Sequence, residues 1–132
     1  MILLEGINDI GASASKAADL IQVDQQIIAQ AHAAGLRVYG ATLVPFGGSH
    51  GQYGGQYGTA AGERERQRLN QWIRTSHAFD AVFDFDKATR DPHHPDRMLP
   101  RYDSGDHLHP GDLGYQKMAA TVDLALLIRQ GC

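Results

Sequence analysis

Cysteine is almost missing from this chain. The single one, Cys132, is the last residue, which excludes an intramolecular disulfide. Long apolar runs are missing too: no stretch approaches the roughly 20 residues that a bilayer-spanning helix requires. The front end, Met1-Ile2-Leu3-Leu4-Glu5, has neither the basic residues nor the apolar length of a secretory signal. Nor is there an excess of positive charge. Lys and Arg total 12 against 15 Asp and Glu, a formal net charge of -3, which gives no reason to expect nucleic acid or a membrane surface as partner. These absences leave the compartment open, with the cytoplasm as the default expectation. What is present suffices for one domain with a core and not for two, so residues 1–132 are read as a single domain.

Hydrophobic patterning gives the order of elements. Met1 to Glu5 is short, apolar and ends at Gly6, which suits a buried parallel strand. Ile7 to Lys16 reads as loop. From Ala17 to Ala34, Leu20, Val23, Ile27, Ala31 and Ala34 step by three and four and predict one helix face, with Gly35 at the C-terminal cap. Leu36 to Val44 is a second strand stopped by Pro45. A Gly-rich segment follows, Phe46 to Gly62, holding the near-repeat Gln52-Tyr53-Gly54-Gly55-Gln56-Tyr57-Gly58. Loops this long in a compact domain are usually functional or mobile. Glu63 to Ser76 is expected to be helical, with Leu69, Trp72, Ile73 and Ser76 facing the core and the charged run Glu63 to Arg68 solvated. Phe79 to Phe85 is a third strand. Lys87 to His109 is a charged, Pro-containing loop, and Asp112 to Arg129 is a last helix expected to bury Leu113, Val122 and Leu126.

Strand and helix thus alternate three times, which argues for a parallel sheet with helices on its faces and right-handed crossovers. In that arrangement chemistry gathers at the carboxyl ends of the strands. Three chemically loaded segments follow strands: Gly6-Ile7-Asn8-Asp9, the Gly-rich loop, and Asp106-His107-Leu108-His109-Pro110. A carboxylate three residues before an imidazole can fix its tautomer and stabilise the imidazolium formed when it takes a proton. By itself the spacing is a weak signal; beside the Asn-containing turn it gains force.

With Gly6-x-Asn8-Asp9 after one strand and Asp106-x-x-His109-Pro110 before the last helix, the chain resembles the SGNH (GDSL-type) hydrolases. The resemblance implies a three-layer α/β/α, flavodoxin-like sandwich and an ester hydrolase of carboxylesterase or acetylesterase type. It assigns His109 as base, Asp106 as its orienter and Asn8 as an oxyanion donor. No cofactor and no metal is implied. Gly6 serves a tight turn at the substrate site, and Tyr53 and Tyr57 are candidates to line a substrate pocket. The family's Gly-Asp-Ser nucleophile block and its oxyanion-hole glycine block lie upstream of the Asn block, and neither is found here. The chain is therefore expected to match the later part of the family pattern, lacking the N-terminal strands.

Two expectations follow. The Met1–Glu5 strand exposes an edge that pairs with a second copy, giving a homodimer. The nucleophile is Ser13, Ser15, Ser49 or Ser104, a serine of a partner chain, or an activated water; Ser76 is discounted as part of a helix face. A non-catalytic, ligand-binding oligomer is the alternative to an enzyme acting on a small ester. His93, His94, Asp96, Asp103 and His107 have no diagnostic metal-ligand spacing and read as an exposed polar loop.

Overall fold

A computed structural model describes residues 1–128. Its sheet has three parallel strands, β1 (Ile2–Leu3), β2 (Tyr39–Ala41) and β3 (Ala81–Phe83), in the order β1-β2-β3. Ile2 is in register with Tyr39, and Tyr39 with Ala81. The helices are α1 (Ile7–Gly11), α2 (Ala17–Ala33), α3 (His50–Tyr53), α4 (Ala60–Thr75), α5 (Phe85–Thr89), α6 (Asp112–Ala119) and α7 (Leu124–Ile128). The crossover helices α2 and α4 pack together. Their core joins Ile10, Ala17, Leu43, Leu69 and Ile73. Tyr39, Ala41 and Phe83 meet Phe85, Met98 and Met118 in a second cluster, onto which Val122 and Leu126 pack. The result is the expected α/β sandwich on a parallel sheet, with helices flanking it.

The departures from expectation have local causes. Ile7–Gly11 is helical rather than loop: Gly6 takes a left-handed conformation (φ 115°) that redirects the chain, and the Ile10 N–H then closes on the Gly6 carbonyl at 2.9 Å. The buried face of α2 is rotated from the one expected. Ala17, Asp24, Ile28 and Ala31 are inside, while Val23 is 51% exposed. Asp24 is buried, and loss of water together with the charges of Glu5 and Asp9 raises its pKa to about 6.

Helix α4 starts earlier than expected because Thr59 caps it, accepting from the Gly62 N–H. Ser76 is its C-cap residue rather than part of a core face. The charged run on α4 is not wholly solvated. Arg66 is fully buried, held by Glu63, by Asp86 at 2.8 Å and by the Leu43 carbonyl at 3.0 Å. Arg74 bridges Asp84 and Asp86; Asp84, though partly desolvated, is held down to about 2 by Arg74 and by the N–H of Lys87.

The expected last helix is two. Thr121 turns its hydroxyl back onto the Met118 carbonyl, and Asp123 accepts from the Ala125 N–H to begin α7. Leu113 faces outward, 54% exposed. Arg129, the expected helix end, and Cys132 lie outside the described residues.

Candidate active site

The three loops that follow the strands meet. Asp106 sits in the loop before α6 with Oδ1 accepting from the N–H groups of Leu108 (2.9 Å) and His109 (2.8 Å). Its Oδ2 lies 2.6 Å from His109 Nδ1 and accepts from the Tyr53 hydroxyl at 2.8 Å. Some loss of water favours the neutral acid. The ring and backbone N–H of His109, the Leu108 N–H and Tyr53 outweigh it and hold Asp106 well below the usual carboxylate range. An ionised Asp106 only accepts, so His109 Nδ1 carries a proton, and the neutral ring presents its lone pair at Nε2. Among the described residues, Nε2 has no hydrogen-bond partner.

On the other side, Gly6 and α1 present Asn8. The Tyr57 hydroxyl donates to Asn8 Oδ1 at 2.7 Å. With its oxygen bound, the amide has Nδ2 left as a donor. Tyr57 is buried and its ring packs closely on α1, which Gly11 allows: a Cβ there would fall 2.1 Å from the ring. The Gly-rich loop is tied to the same place by the Gln56 N–H, which donates to the Gly11 carbonyl at 2.7 Å.

Asn8, Gly6 and His109 line one cleft of about 280 Å³, together with Leu4, Ile7, Leu43, Val44, Leu108, Pro110, Tyr115 and Met118. Its walls are mostly apolar, with Glu5 and Asp9 as the carboxylates on them. Leu43, on its floor, is anchored from behind. Asn70 accepts the Leu43 N–H at 2.7 Å and returns a bond to its carbonyl at 2.9 Å, where Arg66 also donates. Tyr53 and Tyr57 are not among the lining residues; their hydroxyls are spent on Asp106 and Asn8.

The candidate serines scatter. Ser49 is buried and donates to the Phe46 carbonyl at 2.6 Å. Ser13 is in the turn after α1, and Ser15 lines a separate small hollow with Lys16 and Glu65. Ser104 is exposed, and its N–H bonds the His109 carbonyl at 3.0 Å. No serine hydroxyl among the described residues bonds to His109. Nor do any three or more His, Cys, Asp and Glu side chains among these residues form a possible metal site.

Sequence reasoning missed Arg66 and Asn70 as supports of the cleft floor. It also missed the orienting hydroxyls of the two tyrosines, for which the repeat Gln-Tyr-Gly was the available signal.

A cleft at the carboxyl ends of a parallel α/β sheet, with an Asp–His pair and a free amide donor on its walls, is the layout of a small-molecule site of the open-sheet class. The chain belongs to the GDSL-like lipase/acylhydrolase family, whose family model matches residues 1–117. That span takes in Asn8, the Gly-rich loop, Asp106 and His109. No curated protein matches the chain. No helix among the described residues is long and apolar enough to cross a membrane.

Proposed function

We propose that the chain, acting as one domain, hydrolyses small uncharged esters in this cleft. The observation that carries the proposal is that His109, held through Nδ1 by Asp106, and Asn8, held through Oδ1 by Tyr57, line the same largely apolar cleft. His109, oriented by Asp106, takes a proton from the attacking hydroxyl and returns it to the leaving alcohol. Asn8 Nδ2 donates to the oxyanion that develops on the ester carbonyl. The apolar walls receive the acyl group, and Glu5 and Asp9 disfavour anionic substrates.

The attacking hydroxyl comes from Ser13, Ser15 or Ser104 after loop movement, from a serine of a partner chain, or from water. Ser49 is the least suited of the four, being buried with its proton already committed. Among the described residues the outer edge of β1 is unpaired, with Met1, Ile2 and Leu4 exposed by 43%, 41% and 40%. We propose that a second copy covers it; a monomer by solution scattering overturns the dimer.

The test of the activity is hydrolysis of a short-chain nitrophenyl ester by the protein, its His109→Ala variant and single Ser→Ala variants. Loss with His109→Ala supports the proposal, and loss with one serine names the nucleophile. Equal rates for the protein and His109→Ala overturn it. They favour a ligand-binding module, the alternative supported by the lack of a serine bonded to His109.

A further inference from the structure

The two halves of the Gln-Tyr-Gly repeat do parallel work. Gln52-Tyr53-Gly54 sends one phenol to Asp106, and Gln56-Tyr57-Gly58 sends the other to Asn8. The two rings are neighbours, their centroids 5.7 Å apart, and the Tyr53 ring meets the His109 ring edge-on at 6.0 Å. A phenol that donates selects the acceptor end of its partner. For Asn8 this decides which end of the amide is left free, and that is the whole difference between a donor and a repulsive oxygen at an oxyanion site. For Asp106 it shares one oxygen, Oδ2, with the His109 ring, while Oδ1 takes the N–H groups of Leu108 and His109.

We propose that Tyr53 and Tyr57 are positioning residues, through which the Gly-rich loop sets the Asp106–His109 pair and the Asn8 donor together. The proposal deepens the reading of His109 as base and Asn8 as oxyanion donor, and rests on it. The two contacts differ in kind. Tyr57 is buried over Gly11, so its bond to Asn8 is part of the fold; Tyr53 is 39% exposed and reaches Asp106 from a short helix, α3. Tyr57 is thus a fixed support and Tyr53 an adjustable one.

The experiment is nuclear magnetic resonance of Tyr53→Phe and Tyr57→Phe, each of which keeps its ring. In Tyr57→Phe the Asn8 side-chain amide signals, identified by their loss in Asn8→Ala, move to the position of a free amide and stay put in Tyr53→Phe. In Tyr53→Phe the His109 Nδ1–H proton signal moves downfield, because Asp106 Oδ2 then accepts from that ring alone. It stays put in Tyr57→Phe. The other groups around the ring, Asp103 and His107 on the same loop and Glu5, Asp9 and Tyr115 across the cleft, are the same in both variants.

In ester hydrolysis, Tyr57→Phe lowers kcat about 10-fold with KM unchanged, and adds nothing to Asn8→Ala. Wild-type Asn8 signals in Tyr57→Phe together with a wild-type His109 Nδ1–H signal in Tyr53→Phe overturn the proposal. Hydrolysis that survives His109→Ala overturns the catalytic reading instead, and the resonance shifts report on the tyrosines separately from it.

Discussion

The loop before α6 holds two Asp–His pairs built to nearly one plan. Asp103 and His107 approach to 2.6 Å through Oδ2 and Nδ1, and Asp103 Oδ1 accepts from the N–H groups of Gly105 and His107. Asp106 and His109 repeat that contact distance and that pattern of backbone support. Both imidazoles are more than half exposed, at 55% and 57%. Yet only His109 lines the cleft, and only Asp106 accepts a phenol. His107 instead sits at a positive φ of 63° with its ring over Gly48. Each Asp–His contact on this loop is therefore a piece of local chain geometry, made where a carboxylate also accepts from the N–H groups of the turn that follows it. Neighbours from other elements set the two pairs apart.

Breaking each pair separately tests that distinction. The largest expected difference is between the histidines: His109→Ala lowers ester hydrolysis by about 1,000-fold or more, whereas His107→Ala leaves it within about threefold. Both are read in one kinetic assay, and equal losses would erase the contrast between the pairs. Next come the acids. Asp106→Asn frees the His109 ring to adopt the other tautomer and costs about 100-fold or more in kcat, while Asp103→Asn is near neutral for kcat. The smallest effect is on stability. Asp103→Asn keeps an oxygen to accept the two backbone N–H groups and loses one contact to a ring that is itself more than half exposed, so melting falls by the equivalent of about 1 kcal/mol or less. A calorimetric loss several times larger would show the second pair to be a structural hub.

What could be read in advance divides along the same line between local and distant neighbours. The alternation of strands and helices, and the meeting of the Asn8, Gly-rich and Asp106–His109 segments at one end of the sheet, were legible because right-handed parallel crossovers leave little choice. The rotated face of α2 was not. Val23 fits an apolar stripe by spacing, but the sheet and α4 take up the side bearing Asp24 and Ile28. The burial of Arg66 was also hidden, since its reason is Asp86, 20 residues away, together with the carbonyl of Leu43. The tyrosines were legible as residues of interest and not as orienters, because a phenol gives no sign in sequence of which acceptor it will reach. The short α1 was missed because one left-handed glycine, Gly6, suffices to start it.

Asp24 ties folding to the proton concentration. Its pKa rises from 3.8 to about 6 in the folded protein, so the native state binds a proton that the unfolded chain gives up. Stability on this account is undiminished below the ordinary value, declines as pH rises between the two, and stays lowered above the folded value. Asp24→Asn should thus raise the melting temperature at about pH 8, by the equivalent of about 1 kcal/mol once water reaching the group is allowed for, and leave it unchanged at about pH 3.5. Near pH 5 the linkage has a calorimetric signature: unfolding releases close to one proton per molecule from this one position. The measured heat of unfolding then differs between buffers of different ionisation enthalpy, and the difference shrinks in Asp24→Asn.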